Sequence, residues 1–269
     1  MIKDQLVKCL SALRQQGSLV HSITNYVVMN NTANALLAIG ASPIMAHSHS
    51  EIDEMVSISG ALVVNIGTLD EYWVKSMELA IGKARELNKP WILDPVGAGA
   101  TSFRNAMLKK LIDLHAPTVI RGNASEIMAL ANMHSKTKGV DSIHQSNEAV
   151  EAARLLSKST GSVVCVSGEV DFVIKGNRMI SIENGHSLMP KVTGMGCTAT
   201  ALVGAFCAAN PEIPFEATAA AMVTMGIAGE IAAEISNGPG SLQVNFIDAL
   251  YQFSPEIMLE EMKLTEHYE

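Results

Sequence analysis

Aromatic residues are scarce in this chain: six Phe, four Tyr and two Trp make up only 4% of its 269 residues. That scarcity removes the stacking platforms on which single-stranded nucleic acids are usually held. Charge is thin as well, at 17%, and leans acidic with a formal net charge of −8. A basic face able to neutralise the phosphates of a duplex is therefore excluded. The same modest charge beside 48% hydrophobic content excludes a disordered chain. Four cysteines, at positions 9, 165, 197 and 207, show neither CxxC spacing nor paired histidines. They argue against a disulfide framework and for the reducing cytoplasm.

Long hydrophobic runs are missing too. The mean hydropathy is positive, +0.22, and no Lys, Arg, Asp or Glu occurs between positions 15 and 50. Yet that stretch contains Asn25, Asn30, Asn31, Asn34 and three His, so its apolar runs fall short of the roughly 20 residues a bilayer span needs. Met1-Ile2-Lys3-Asp4 is followed by no apolar h-region, and no signal peptide is expected. These absences predict a soluble protein of the cytoplasm.

What is present is an alternation. Short β-branched runs at 18–23, 43–46, 62–66, 91–93, 118–120, 163–166, 172–175 and 179–182 predict strands. Between them lie helical spacings such as Leu6, Leu10 and Leu13, or Trp73, Met77, Ala80 and Ala84. Strands alternating with helices predict right-handed βαβ units and a mainly parallel sheet. Runs such as Leu62-Val63-Val64 lack polar alternation, as befits a sheet covered on both faces. Gly176-Asn177-Arg178 reads as a hairpin turn. After Val192 the chain reads as helical nearly to its end, over 198–209, 215–235 and 246–253. The polar stretch 136–147 reads as a surface loop, and no linker or repeat divides the chain. The prediction is one α/β domain spanning 1–269, with a central mostly parallel sheet and a helical C-terminal third.

Ligands of open α/β sheets sit beyond the carboxyl ends of the strands, and four such ends carry unusual residues. They are Asp94-Pro95-Val96-Gly97-Ala98-Gly99, then Arg121-Gly122-Asn123-Ala124-Ser125-Glu126, then Ser167-Gly168, and Thr193-Gly194-Met195-Gly196-Cys197 before a long apolar helix. Glycines at a helix start let a ligand approach the backbone, and the first helical N–H groups favour an anion such as phosphate. A tightly packed helix entry uses the same glycines. Asp94 and Glu126 are ordinary as a loop carboxylate and a first-turn residue, and together suit Mg²⁺. Arg121 reads as an ion-pair residue or as a phosphate clamp. No GxxxxGK[ST] and no complete GxGxxG is present, which excludes a P-loop and weakens a dinucleotide fold. His47-Ser48-His49 with Glu51 invites a zinc reading but matches no ligand spacing.

Taken together these residues resemble the hydroxyethylthiazole kinase family of the ribokinase-like group. The resemblance runs over His21-Ser22-Ile23-Thr24-Asn25, Gly40-Ala41-Ser42-Pro43-Ile44-Met45, the 94–99 loop, 121–126, 192–198 and Gly238-Pro239-Gly240-Ser241. It implies a three-layer sandwich that transfers the γ-phosphate of ATP, with Mg²⁺, to the primary hydroxyl of 4-methyl-5-(2-hydroxyethyl)thiazole in thiamin salvage. It also implies a homotrimer with active sites between adjacent subunits. By position, the resemblance makes Met45, Gly194, Asn25 and Gly67 substrate contacts, and Arg121 and Ser167 ATP contacts. Asp94 and Glu126 become the metal and phosphate carboxylates, and Gly194, Gly196 and Cys197 the catalytic anion hole. Where Ser167 stands the family often carries Thr, and the hydroxyl is kept. The wider group has GxGD where this chain has Gly194-Met195-Gly196-Cys197, which leaves the general base open. Rival readings are a pyrimidine-alcohol kinase, an ATP-dependent hydro-lyase, or a nucleotide-binding regulatory module without catalysis.

Overall fold

Every residue of the run Ala61-Leu62-Val63-Val64-Asn65 is buried, which requires cover on both faces of the sheet that contains it. The computed structural model describes residues 2–134 and 145–268. It opens with α1 (Ile2–Gln16), β1 (Leu19–Ile23), α2 (Met29–Ile39), β2 (Ser42–Ile44), α3 (Ile52–Ile58) and β3 (Ala61–Asn65). Next come α4 (Glu71–Glu86), β4 (Trp91–Asp94), α5 (Ser102–Leu114), β5 (Val119–Asn123) and α6 (Ala124–His134). They are followed by α7 (Gln145–Thr160), β6 (Val163–Ser167), β7 (Asp171–Lys175) and β8 (Arg178–Ile182). The last elements are α8 (Met195–Ala209), α9 (Pro214–Glu234), α10 (Pro239–Gln252), α11 (Pro255–Glu261) and β9 (Leu264–Tyr268).

The strands form one sheet in the order β2-β1-β3-β4-β5-β6-β7-β8-β9. Pairing is parallel from β2 to β6 and antiparallel from β6 to β9. Because side chains alternate along a strand, each strand feeds two cores. Val20, Val63, Ile92, Val119 and Cys165 pack with α1, α2, α8, α9 and α10. Ile23, Val64, Leu93, Ile120 and Val166 pack with α3 to α7 on the other side. The result is a three-layer α/β sandwich. Helices α8 and α9 are apolar all round and almost wholly buried, as such helices must be. Gly204 lets α8 ride close over the sheet, since a Cβ there would run into Val63.

The predicted alternation is present, with three differences. Strands β4, β5 and β6 continue to Asp94, Asn123 and Ser167, so Asp94, Arg121 and Ser167 lie within their strands rather than past them. Beyond the last expected helix the chain adds α11 and a strand, β9, which pairs with β8 along the sheet edge. Its sequence, Leu264-Thr265-Glu266-His267-Tyr268, mixes polar and apolar residues because an edge strand is only half covered. Of the stretch read as a surface loop, positions 136–144 lie outside the described residues, while Gln145 to Asn147 open α7. The hairpin closes through two residues, with Lys175 opposite Arg178 and Gly176 at φ +58°.

Candidate active site

The two-residue period that splits the cores also builds a site. Asn65 ends β3 on the face of Ala61 and Val63, Asp94 ends β4 on the face of Ile92, and Arg121 follows Val119 in β5. Ser167 ends β6 on the face of Cys165. All four therefore point toward the layer that contains α8, at the carboxyl ends of adjacent parallel strands. The start of α8 lies on top of them. Gly194 caps it at φ +83°, a conformation that strains any residue with a Cβ. A Cβ on Gly196 would sit 2.8 Å from Arg121 Nη1, so the backbone of the first turn is laid against the guanidinium. Farther along, Thr200 reaches Asp94.

Arg121 is 8% exposed, and its Nη2 donates to Ser167 Oγ at 2.8 Å. Its Nε is buried and has no partner among the described residues. Asp94 is buried, and its Oδ2 accepts from Asn65 Nδ2 at 2.7 Å and from Thr200 Oγ1 at 2.9 Å. Burial pushes its carboxyl up to about 6; Arg121 pulls it down, while the charge of Glu126 pushes it further up. Cys197 Sγ receives Asn25 Nδ2 at 3.5 Å. A helix N-terminus favours a thiolate, but here burial, followed by the charge of Asp94, lifts the thiol to about 11. Cys197 is therefore a thiol at neutral pH.

Glu126 does something the sequence does not disclose. Its Oε1 accepts from the Gly97 N–H and its Oε2 from the Asn123 N–H, both at 2.9 Å. It thus staples the β4–α5 loop to the end of β5. Each carboxylate oxygen keeps a lone pair for a further ligand. A neutral amide offers only one acceptor oxygen, so Glu126→Gln must lose one of the two bonds. The expected result is a kcat loss of about 10–100-fold with a raised Mg²⁺ requirement, and a stability loss of about 1 kcal/mol. A Mg²⁺ titration of initial rate and a melting curve measure both. Wild-type rates across the titration would show that Glu126 takes no part in metal use.

Two of the residues expected to contact the substrate, Asn25 and Gly67, form a second group beside the first. Asn25 Nδ2 donates to Asn65 Oδ1, Gly67 N–H donates to the same oxygen, and a Cβ on Gly67 would strike the Asn25 amide. Asn25, Gly67 and Cys197 are therefore neighbours, joined to Asp94 through Asn65. Met45 is not joined to them. It lies past β2, the outermost strand, and among the described residues no hydrogen bond ties it to the cluster. His47 stacks on Trp73 and His49 on Tyr72, and among the described residues no three His, Cys, Asp or Glu gather as a metal cage. The zinc reading of that tract gains no support. Three residues of the site escape a reading of the sequence: Asn65, Thr200, and Arg104, whose guanidinium donates to the carbonyls of Ile66, Gly67 and Val96. Only Asn65 carries a signal, a polar residue closing an apolar strand just before a glycine.

Comparison with known proteins bears on this arrangement. Residues 10–256 match the Hydroxyethylthiazole kinase family. A hydroxyethylthiazole kinase of Leptospira biflexa is 54% identical over 261 residues, covering 97% of both chains. The solved hydroxyethylthiazole kinase of Pyrococcus horikoshii superposes with a TM-score of 0.91 at 42% identity, covering 97% of this chain and 98% of that one. A ribokinase-like superfamily protein of Enterococcus faecalis superposes at 0.64 with 12% identity, covering 94% and 95%. The last similarity concerns the fold alone.

Proposed function

The chain belongs to the hydroxyethylthiazole kinase family, and on that premise we propose that it moves the γ-phosphate of ATP to the primary hydroxyl of 4-methyl-5-(2-hydroxyethyl)thiazole, a step of thiamin salvage. The observation that carries the proposal is the convergence of Asp94, Arg121 and Ser167 beneath the glycine-rich start of α8. It places a fixed cation, a carboxylate and a row of backbone N–H groups at one point, which is what transfer of a phosphoryl group demands. Arg121, with one nitrogen bonded to Ser167 and its Nε unpartnered, binds the phosphates. The N–H groups of Gly194 to Cys197 stabilise the charge on the transferring group. Asn25 and Gly67 line the alcohol pocket next to Cys197. The test is a panel of small alcohols with ATP and Mg²⁺, read as phosphate transfer. Turnover with the pyrimidine alcohol alone would move the enzyme to another branch of its fold family, and ATP binding without transfer to any alcohol would leave a regulatory module.

Asp94 and Glu126 are the residues that would hold Mg²⁺. Both are hard oxygen donors, and the charge of one raises the other, a repulsion that a divalent cation relieves. When bound, Mg²⁺ neutralises charge on the phosphates and keeps several waters of its own. Glu126 is held for that role by its two backbone bonds.

The alcohol still has to lose its proton. Cys197, a thiol lifted to about 11, is a poor base at neutral pH. A loose phosphoryl-transfer transition state leaves deprotonation late, so position counts for more than basicity. Cys197→Ser is therefore expected to lose less than about 100-fold in kcat, and Cys197→Asp to be tolerated or faster. Both are measured at saturating ATP, Mg²⁺ and thiazole alcohol. A loss beyond about 10⁴-fold in Cys197→Ser, with ATP binding intact, would make the thiol essential.

The proposal extends to assembly and setting. Met45, separated from the cluster in its own chain, serves a site shared with a neighbouring subunit of a homotrimer. The exposed Tyr26, Val27 and Leu37 of the charge-free stretch support that reading, since charges at an interface core are costly. A monomeric mass in solution with activity retained at high dilution would overturn it. The whole chain, 1–269, acts as one kinase domain, a reading that the single nine-stranded sheet supports. The cytoplasm is the proposed location. The four free cysteines support it, and no described helix is long and apolar enough to cross a membrane.

A further inference from the structure

Asn65 is 2% exposed and makes three hydrogen bonds in a fixed sense, besides an interaction of its side chain with the Cys197 thiol. Its Oδ1 accepts from Asn25 Nδ2 and from the Gly67 N–H, each at 2.9 Å, while its Nδ2 donates to Asp94 Oδ2 at 2.7 Å. The orientation is over-determined. Gly67 N–H can only donate and an ionised Asp94 can only accept, so the side chain between them must offer an acceptor to one and a donor to the other, as the Asn65 amide does. Asn25 is fixed the same way, because its own Oδ1 accepts from the Val27 N–H at 3.1 Å. A directional chain thus runs from the Val27 backbone through Asn25 and Asn65 to Asp94, which Thr200 braces from the other side at 2.9 Å. Asn25 also reaches Cys197 Sγ.

Resting on the functional reading above, we propose that Asn65 is a positioning residue that couples the alcohol pocket to the phosphate-side carboxylate. Its acceptor oxygen sets Asn25 and Gly67, and its donor nitrogen sets Asp94, so one buried amide fixes the alcohol and the phosphate machinery relative to each other. Misplacement of reacting groups by about 1 Å costs roughly 100-fold in rate, which gives such a brace its leverage. Neighbouring residues of one network are also non-additive when removed.

The two ends of the amide can be separated by substitution. Asn65→Asp keeps an oxygen for Asn25 and Gly67 but sets a second carboxyl against Asp94 Oδ2, so the two share one proton and Asp94 loses the full charge it has beside an amide. It should hold KM for the thiazole alcohol within about threefold and lower kcat about 100-fold. Asn65→Ala removes both ends and should raise that KM about tenfold while lowering kcat about 100-fold. In a cycle with Asn25→Ala, the double variant should lose no more than about threefold beyond the worse single variant in kcat/KM. KM for ATP stays within about threefold throughout. The inference is overturned if Asn65→Asp keeps wild-type kcat, if it raises the alcohol KM as far as Asn65→Ala does, or if the cycle losses multiply. A general loosening would instead raise KM for ATP in step with a lowered melting temperature, which also overturns it. Should Asn65→Ala fail to fold, Asn65→Asp decides alone through its KM-against-kcat split. The functional reading is checked separately by wild-type transfer to the alcohol panel. If another alcohol is the acceptor, the thiazole assignment fails while the Asn65 split is read with that alcohol, and if none is, the inference falls with the reading.

Discussion

Replacing Asp94 with Asn is expected to abolish most of the transfer, lowering kcat by about 10³-fold, while making the protein harder to unfold. The two effects have one cause. Asp94 is fully enclosed, and burial lifts its carboxyl from 3.8 to about 6. A carboxyl whose folded pKa lies above its unfolded value binds its proton more tightly in the fold, so stability falls as pH rises from about 4 to about 6 and stays lowered above that. At neutral pH the charge costs on the order of 2–3 kcal/mol. Asp94→Asn removes that charge, and the amide oxygen it introduces can still accept from Asn65 and Thr200 as Oδ2 does now. Melting at pH 7.5 should therefore shift upward, and the difference between variant and wild type should close below about pH 4. Rates across a Mg²⁺ titration complete the test. A wild-type rate would remove Asp94 from the chemistry, and an unchanged melting temperature would show that the buried charge carries no net cost beyond what Arg121, Asn65 and Thr200 return.

Much of this was legible in the sequence, for identifiable reasons. Strands buried on both faces announce themselves as apolar runs, and the polar residues that close them stand out: Asp94 after Trp91-Ile92-Leu93, and Ser167 after Val163-Val164-Cys165-Val166. The two-residue period relates each of them to its own strand, Asp94 to Ile92, Arg121 to Val119 and Ser167 to Cys165, and the pairing register then puts all three on one face. What sequence cannot give is how the groups use their hydrogen bonds. Glu126 looks like a free carboxylate in a helix's first turn, and only the fold reveals the Gly97 and Asn123 N–H groups that occupy it. Cys197 sits where a helix terminus lowers a thiol, and only burial depth reverses the sign. Thr200 and Arg104 act across elements distant in sequence, and neither stands in a pattern that local rules detect. Strand β9 is invisible to the same rules because its order comes from pairing with β8, not from its own residues.

Gly196→Ala carries the other large effect, and it isolates what the glycine is for. Position 196 is helical, where Ala is intrinsically better than Gly by about 1 kcal/mol. Nothing in the backbone therefore demands glycine here, unlike Gly194 at φ +83°. The demand comes from across the site, because the new Cβ would lie 2.8 Å from Arg121 Nη1 and 3.7 Å from its Cζ. Arg121 has little room to retreat, being buried and bonded to Ser167. Either the guanidinium swings off the position proposed for phosphate binding or the first turn of α8 lifts away from it. Both outcomes separate the cation from the backbone N–H groups, so kcat/KM for ATP should fall about 10²–10³-fold, with melting changed by less than about 2 kcal/mol. Gly204→Ala on the same helix provides the contrast, since its Cβ meets Val63 in the core rather than the site. That variant should lose stability, by about 1–3 kcal/mol, well ahead of activity. ATP titrations, initial rates and melting curves on the pair distinguish the cases. If Gly196→Ala keeps wild-type rate and ATP affinity, the glycine-rich entry of α8 is a packing feature and the phosphate lies elsewhere.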